Sequence, residues 1–536
     1  MMHRKTEWVV GRVLETQARA RGDRPFLEFA SGARFTYAEA DAQANRLANG
    51  LAALGIRKGD AVAVMLPNGE DYVFVWLALS RLGAIHVAVN TGYAGRFLAH
   101  VLANAEAKVA IAHAEYLPRI DAIRAELPAL RRILVAGSMD HVGSAGGAAL
   151  GLAPIEAMRL EDAVSSNASL PDVDVSYRDV NTIMYTSGTT GPSKGVLMPH
   201  AHNYLLGLGI LENLGVTEED AYYICMPLFH ANAMFMQLYA TMIAGARAAI
   251  VPKFSASRWL EDVRKYGATV THTIGVMTDF LLQQPEAPSD ADTPLRLVLA
   301  VPTPPEIAPK FRKRFGVKMV EGFGMTECNM PLYMRPDDAP RDGSCGRPYA
   351  RYFDVRIVDP ETDEELEKGE VGEIVVRPRE PFGFSLGYHR MPDKTADAVR
   401  NFWFHTGDAG RTDDDGYFYF VDRIKDCIRR RGENISSFEI ESVLLAFPDV
   451  VEAAAVAVKS TTAGGEDEVK ACVVAREGAA LDPAALVSFC RGKMPDFAIP
   501  RYVEVMRALP RTPTEKIQKA MLRAAGVTDA TWDRLA

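Results

Sequence analysis

The chain has 536 residues, of which 48% are hydrophobic and 24% charged, and its formal net charge is −9 at pH 7. That length allows roughly two to four domains with ample core, and the mild acidity gives no reason to expect a nucleic acid or an anionic membrane as partner. Residues 73–89 form an apolar stretch broken by Arg81, and the basic start Met1-Met2-His3-Arg4-Lys5 lacks the apolar core of a signal peptide, so neither a membrane span nor a secretory leader is expected.

Cys225, Cys328, Cys345, Cys427, Cys472 and Cys490 are scattered without metal-type spacing. They fit free thiols in a reducing, cytoplasmic compartment. A helical mix surrounds residues 12–20, and Thr36 with Glu39 has capping-box spacing ahead of a helix over 40–54 that stops at Gly55. A buried strand over 60–66, a helix over 71–82 ending at Gly83, a strand over 84–89, a helix over 96–106 and a strand over 108–112 follow. Such repeated βα units imply a mostly parallel, helix-covered sheet. Residues 141–152 read as a surface loop without assigned function.

A short buried strand then enters Tyr185-Thr186-Ser187-Gly188-Thr189-Thr190-Gly191-Pro192-Ser193-Lys194-Gly195-Val196. Its glycines permit close backbone approach, its N–H groups and hydroxyls can cradle an anion, and Lys194 adds a point charge, which suits a polyphosphate. It is not a Walker A loop, because Ser193 and Gly195 flank the lysine where Gly and Ser or Thr belong.

The twelve residues resemble the phosphate loop of the adenylate-forming superfamily, which includes acyl-CoA synthetases, firefly luciferase and peptide-synthetase adenylation domains. Four further stretches, in the family's order between about residues 20 and 520, carry the same resemblance. Met226-Pro227-Leu228-Phe229-His230-Ala231-Asn232 follows a strand over 221–225. The resemblance implies that His230 borders the carboxylate, although a lone histidine is more often structural. Gly275 and Met277, where the segment 267–282 turns from strand to helix, are implied to line the acyl pocket beside His230 and Asn232, with plain core packing as the alternative.

Glu321-Gly322-Phe323-Gly324-Met325-Thr326-Glu327 is the second strong match. Phe323 replaces the usual tyrosine but can still stack on adenine. The resemblance places Thr326 on the α-phosphate and Glu327 on Mg²⁺, a hard cation suited to one or two carboxylates plus substrate phosphates. Where the family usually has Gly-Gly-Ala-Pro, this chain reads Ala300-Val301-Pro302-Thr303-Pro304.

A β-rich region about 340–422 contains Thr406-Gly407-Asp408, whose Asp408 is implied to accept both ribose hydroxyls, and a hairpin at Asp415-Gly416. Arg423 is implied to contact ribose or phosphate, and Lys425 falls on the hinge position. Gly432, after the arginine triplet 429–431, would leave room for the pantetheine arm of CoA. A helix over 438–447, strands over 452–458 and 468–475 and a helix over 482–492 complete a compact lid. Glu515 stands where the family usually has glycine, and Lys516 stands where its catalytic lysine belongs.

The expected fold is therefore α/β: a large N-terminal domain (1–422) of helix-covered sheets plus the β-rich subdomain, and a small mobile α+β lid (423–536). The resemblance implies an AMP-forming acid–CoA ligase using ATP, Mg²⁺ and CoA. ATP would meet Thr186, Ser187, Gly188, Thr189, Thr190, Gly191, Lys194, Gly322, Phe323, Gly324, Met325, Thr326, Asp408, Arg423 and Lys516. Catalysis would rest on Lys516, Thr326, His230 and Lys194. The motifs look most like those of crotonobetaine/carnitine-CoA ligases. A polar or betaine-type acid, a fatty acid and a cyclic acid all stay open, as do another acyl acceptor and a non-catalytic nucleotide-binding protein. Homodimers are common in the family.

Overall fold

The repeated βα units of the first half build two sheets whose strands run mostly parallel. The computed structural model describes residues 3–138, 155–186, 192–301, 307–423, 427–430, 433–459, 467–511 and 517–536. One seven-stranded sheet has the order Glu156–Arg159, Arg132–Ala136, Val109–His113, Ala61–Met65, Ile85–Ala88, Val180–Thr186 and Lys194–Pro199. All neighbours in it are parallel except the last pair, an antiparallel hairpin that brackets residues 187–193. The second has the order Lys318–Val320, Leu297–Ala300, Val270–Thr273, Ala221–Ile224, Arg247–Ile250, Pro25–Phe29 and Arg34–Thr36. Only its last pair is antiparallel.

Two helices of the core have almost no polar face. Glu70–Leu82 buries every residue from Tyr72 to Leu82, and His200–Leu214 buries nearly its whole length. A helix hydrophobic all round belongs in an interior, and the apolar stretch near residue 73 is accordingly a core helix. Arg81, which interrupts that stretch, is buried and paired with Asp41. Burial lowers the Arg81 pKa and raises that of Asp41, while the mutual attraction opposes both shifts.

The capping box forms as the spacing predicts: Glu39 N–H donates to Thr36 Oγ1 at 3.2 Å, and Thr36 N–H donates to Glu39 Oε2 at 2.8 Å. The helix spans Tyr37–Ala53, three residues earlier at its start than the pattern suggested, because the cap itself begins it. A larger miss lies at Asn232–Tyr239, a π-helix that the periodicity did not reveal. Such π segments are rare and frequent at functional sites.

An antiparallel sheet follows in the order Gly322–Met325, Asn329–Tyr333, Ser344–Pro348, Phe418–Arg423, Trp403–Thr412, Gly372–Pro378 and Phe353–Val358. The C-terminal region has its own sheet, Val450–Val458, Glu468–Ala475, Tyr502–Met506 and Trp532–Asp533, with helices Ser437–Leu444 and Pro483–Cys490. Five cysteines are buried and free. Burial pushes the thiol of Cys225 up to about 12 and those of Cys472 and Cys490 up to about 11. Among the described residues, no helix is long and apolar enough to cross a membrane.

Candidate active site

Ligands of open α/β sheets gather beyond the carboxyl ends of the strands. Four adjacent parallel strands, Ala221–Ile224, Val270–Thr273, Leu297–Ala300 and Lys318–Val320, end on one edge. They lead respectively into His230 and Asn232, into Gly275 and Met277, into Val301, and into Gly322 to Glu327. The topology thus brings sequence-distant motifs to one crevice.

The phosphate hairpin joins that crevice through one carboxylate. Glu327, 4% exposed, accepts on Oε1 from Thr186 Oγ1 at 3.0 Å and from the Tyr388 hydroxyl at 3.1 Å. Burial and the Glu327 charge push the Tyr388 pKa up, so its hydroxyl remains a donor. Lys194 Nζ lies 4.1 Å from the centre of the Tyr388 ring, a cation–π distance. With Oε1 occupied, Oε2 is the oxygen of Glu327 to which no described residue donates. A buried carboxylate oriented this way, beside a phosphate hairpin, fits Mg²⁺ held by one carboxylate and substrate phosphates. Among the described residues, no cluster of three acidic, His or Cys side chains forms a metal cage.

Tyr388 is the residue that sequence reasoning missed. It sits in a segment that runs alongside the hairpin: Leu197 N–H donates to Gly387 O at 3.0 Å and His389 N–H to Gly195 O at 2.7 Å. The Gly387-Tyr388-His389 run carries no local pattern that singles it out, and the role of Tyr388 arises only when this segment packs against the hairpin.

The turn bearing Thr326 and Glu327 is held from behind. His202 Nε2 donates to Thr326 O at 3.1 Å, and Asn329 Nδ2 donates to His202 O at 2.9 Å. Burial holds the His202 pKa near 4, so the ring is neutral. Gly322 and Gly324 serve packing first: a Cβ on Gly324 would stand 2.5 Å from Asn329 O, and one on Gly322 would stand 2.7 Å from Leu332 O. Gly324, Met325 and Thr326 keep an open side, while Phe323 is buried and stacks on Phe420 with ring centres 6.5 Å apart.

Asp408 is 3% exposed and lies opposite Arg423 in the strand pair. Its strand is held at the register shift beside it by Glu373, whose Oε1 accepts from Gly407 N–H at 2.9 Å and whose Oε2 lies 2.8 Å from His405 Nδ1. Thr406 Oγ1 donates to Ile374 O at 2.7 Å and accepts from Asp408 N–H at 3.1 Å. Glu373 was also missed, being read only as part of an alternating strand.

The segment carrying His230 is pinned by Asn68, which donates to Met226 O at 2.8 Å and accepts from Leu228 N–H at 2.8 Å. His230 and Asn232 are half-buried. Asn232 Oδ1 is 2.7 Å from His272 Nδ1 and 3.0 Å from Gln237 Nε2, and His272 Nε2 is 3.3 Å from the Tyr222 hydroxyl. Burial pushes His272 down to about 3. A neutral ring with Nδ1 protonated satisfies both of its contacts, and with Gln237 it saturates the Asn232 oxygen, leaving the N–H₂ as the end with no partner among the described residues. Gly275 opens the next helix, and Met277 is 6% exposed. Ser187 to Gly191, Lys425, Gly432 and Lys516 lie outside the described residues, as do 302–306, where the glycine motif is replaced.

The AMP-binding enzyme family model matches residues 14–389, and the model of its C-terminal domain matches residues 439–516. This chain belongs to the AMP-binding enzyme family. It is 33% identical over 502 residues to the crotonobetaine/carnitine–CoA ligase of Salmonella heidelberg (strain SL476), covering 91% of this chain and 93% of that protein. The crystal structure of ATP-bound MatB from Rhodopseudomonas palustris superposes with a TM-score of 0.69 at 29% identity, over 96% of this chain and 99% of the other. The amide bond synthetase McbA from Marinactinospora thermotolerans superposes with a TM-score of 0.82 at 25% identity, over 96% and 99%. As a member of this family the chain is an adenylate-forming enzyme with the mixed α/β architecture of that group.

Proposed function

We propose that this enzyme activates a carboxylic acid with MgATP and transfers the acyl group to CoA. The carboxylate oxygen attacks the α-phosphorus, the bond to the β-phosphate oxygen breaks, and pyrophosphate leaves an acyl-adenylate. The CoA sulfur then attacks the acyl carbon, the C–O bond to AMP breaks, and the thiol proton passes to solvent. Neither step needs an enzyme nucleophile, so the protein's work is positioning and charge stabilisation.

The observation that carries this reading is the convergence of Thr186, Lys194, Tyr388 and Glu327 at the mouth of the phosphate hairpin. In it, Lys194 and residues 186–191 hold the β- and γ-phosphates, Glu327 Oε2 takes the cation, and Thr326 meets the α-phosphate. Phe323 stacks on adenine, Asp408 and Arg423 hold the ribose end, and Lys516 neutralises charge as carboxylate and phosphate approach. Gly432 gives CoA its passage once the lid turns at Lys425.

The acyl pocket is formed by His230, Asn232, Gly275 and Met277. The fixed amide of Asn232 supports an acid with a polar body, in keeping with the crotonobetaine/carnitine name of the 33% identical relative, over a simple fatty acid. The amide bond synthetase among the fold relatives favours one second reading, an amine as the acyl acceptor. Acid-dependent ATP–pyrophosphate exchange, followed by product analysis with CoA or an amine, tests both. Thioester formed only with CoA upholds the proposal, and amide formed without CoA replaces it.

A further inference from the structure

Among the described residues, a polar contact joins the C-terminal unit to the phosphate hairpin. Glu439, in the first turn of the helix Ser437–Leu444, accepts on Oε1 from both the backbone N–H and the hydroxyl of Ser193, each at 2.7 Å. Ser193 precedes Lys194 and is 2% exposed. Its carbonyl is itself held by His100 Nε2 at 2.8 Å, on the helix Gly95–Asn104. The two Ser193 donors are therefore fixed in direction and converge on one carboxyl oxygen; burial raises the Glu439 pKa, and the two hydrogen bonds from Ser193 oppose that rise.

The same docking is close at a second place. Gly95 has φ +51°, and a Cβ there would stand 2.9 Å from Lys493 Cα and 3.1 Å from Lys493 O. A Cβ on Gly92 would meet the Phe497 ring at 3.4 Å. Gly95 thus lets the Lys493 backbone, and Gly92 the Phe497 ring, settle against the start of this helix. Tyr93 and Phe97 share one apolar cluster with Met494, Ala498 and Ile499.

A backbone N–H and a hydroxyl converging on one oxygen are the donors that a phosphate loop offers to a phosphate. A carboxylate and a polyphosphate cannot share them, and their like charges repel at this distance. We infer that Glu439 is a positioning residue that latches the lid to Ser193 once pyrophosphate has left, and that bound polyphosphate expels it. The docked position is then the one that follows adenylation, and it serves transfer to the acceptor. This inference rests on the two-step reading above. Because such coupling is reciprocal, docking weakens pyrophosphate binding by the factor by which pyrophosphate weakens docking.

The test uses the full-length enzyme and an acid that the wild type accepts. Glu439→Ala is expected to slow transfer from the acyl-adenylate about tenfold, keep ATP–pyrophosphate exchange, and tighten product inhibition by pyrophosphate about tenfold, a usual size for coupling between sites. Glu439→Gln, which retains an acceptor without charge, is expected to recover part of the transfer rate. Unchanged transfer, or exchange and transfer falling together with pyrophosphate inhibition unaltered, overturns the latch. Should Glu439→Ala fail to fold, Glu439→Gln is read alone: slower transfer with tighter pyrophosphate inhibition supports the latch, and wild-type values of both overturn it. Amide hydrogen exchange over residues 92–104 of the wild type gives an arm that needs no acceptor. Magnesium pyrophosphate is expected to speed it and AMP to leave it unchanged, and no response to pyrophosphate contradicts the inference. If the wild type releases AMP and pyrophosphate but forms no thioester, the CoA reading fails while this arm still decides the latch.

Discussion

Thr186 and Glu327, 141 residues apart in the chain, meet through a 3.0 Å hydrogen bond. The first ends the strand that opens the phosphate hairpin, and the second closes a turn of the antiparallel sheet. One buried carboxylate therefore ties two sheets at the place proposed above for a polyphosphate and its cation. With Oε1 already taken, the geometry leaves one oxygen for a metal.

Glu327→Gln keeps the shape but removes the charge. We expect acid-dependent pyrophosphate exchange to fall about 10²–10³-fold, the scale of losing one preorganised electrostatic group. Raising Mg²⁺ should recover part of the loss. Unaltered exchange across a Mg²⁺ titration would remove Glu327 from the metal site.

Tyr388→Phe removes one donor from Glu327 Oε1 and keeps the ring under Lys194. A lost hydrogen bond to a buried charged group costs about 1.5–3 kcal/mol. The expected result is a rise in the Mg²⁺ concentration needed for half-maximal exchange, with the KM for the acid unchanged.

Glu373 touches no proposed ligand but holds Gly407 and His405 beside Asp408. Glu373→Ala should raise the KM for ATP by about tenfold, for a loss of about 1–3 kcal/mol in anchoring the strand around Asp408. The KM for the acid should stay within about twofold. A matched rise in both would indicate general disruption of the fold.

Asn232→Leu replaces a held amide by an apolar side chain. The ratio of kcat/KM between a polar acid and an apolar acid of equal length should shift toward the apolar one by about ten- to hundredfold, the range that pocket polarity usually commands. No shift would show that Asn232 serves only the network with His272 and Gln237.

Burial pushes His86, His200 and His272 down to about 3. Their unfolded value is about 6.5, so the unfolded chain binds more protons below that pH. The stability tied to their neutral form is fully present above about pH 6.5 and is lost progressively as pH falls toward about 3, each ring contributing a slope of up to about 1.4 kcal/mol per pH unit. Both ring nitrogens of His86 are buried without a partner among the described residues. His86→Leu should therefore flatten the denaturation-free-energy slope between pH 6 and 5 by about one proton, with stability at pH 7 unchanged or raised. Urea titrations at several pH values provide the check.

The βα alternation, the Thr36–Glu39 cap and the crevice motifs were legible because local chemistry marks them: a capping pair, a glycine that closes a helical run, a run of hydroxyls before a lysine. Tyr388, Glu373, Asn68 and His202 were not, because their roles arise only when distant segments pack and supply a partner. The π-helix at Asn232–Tyr239 was hidden for a related reason, since its apolar residues have no face exposed to water that would print a period. Gly322 and Gly324 were read toward a nucleotide, and the strand Asn329–Tyr333 behind them explains their size independently.

The most direct measurement is AMP formation by the purified protein over betaine-type, short, long-chain, aromatic and steroid acids, with ATP and Mg²⁺, with and without CoA. One class of polar acid is expected to drive pyrophosphate release, and CoA to convert the bound adenylate to thioester with stoichiometric AMP. AMP and thioester absent with every acid, from folded protein that binds ATP, would contradict it.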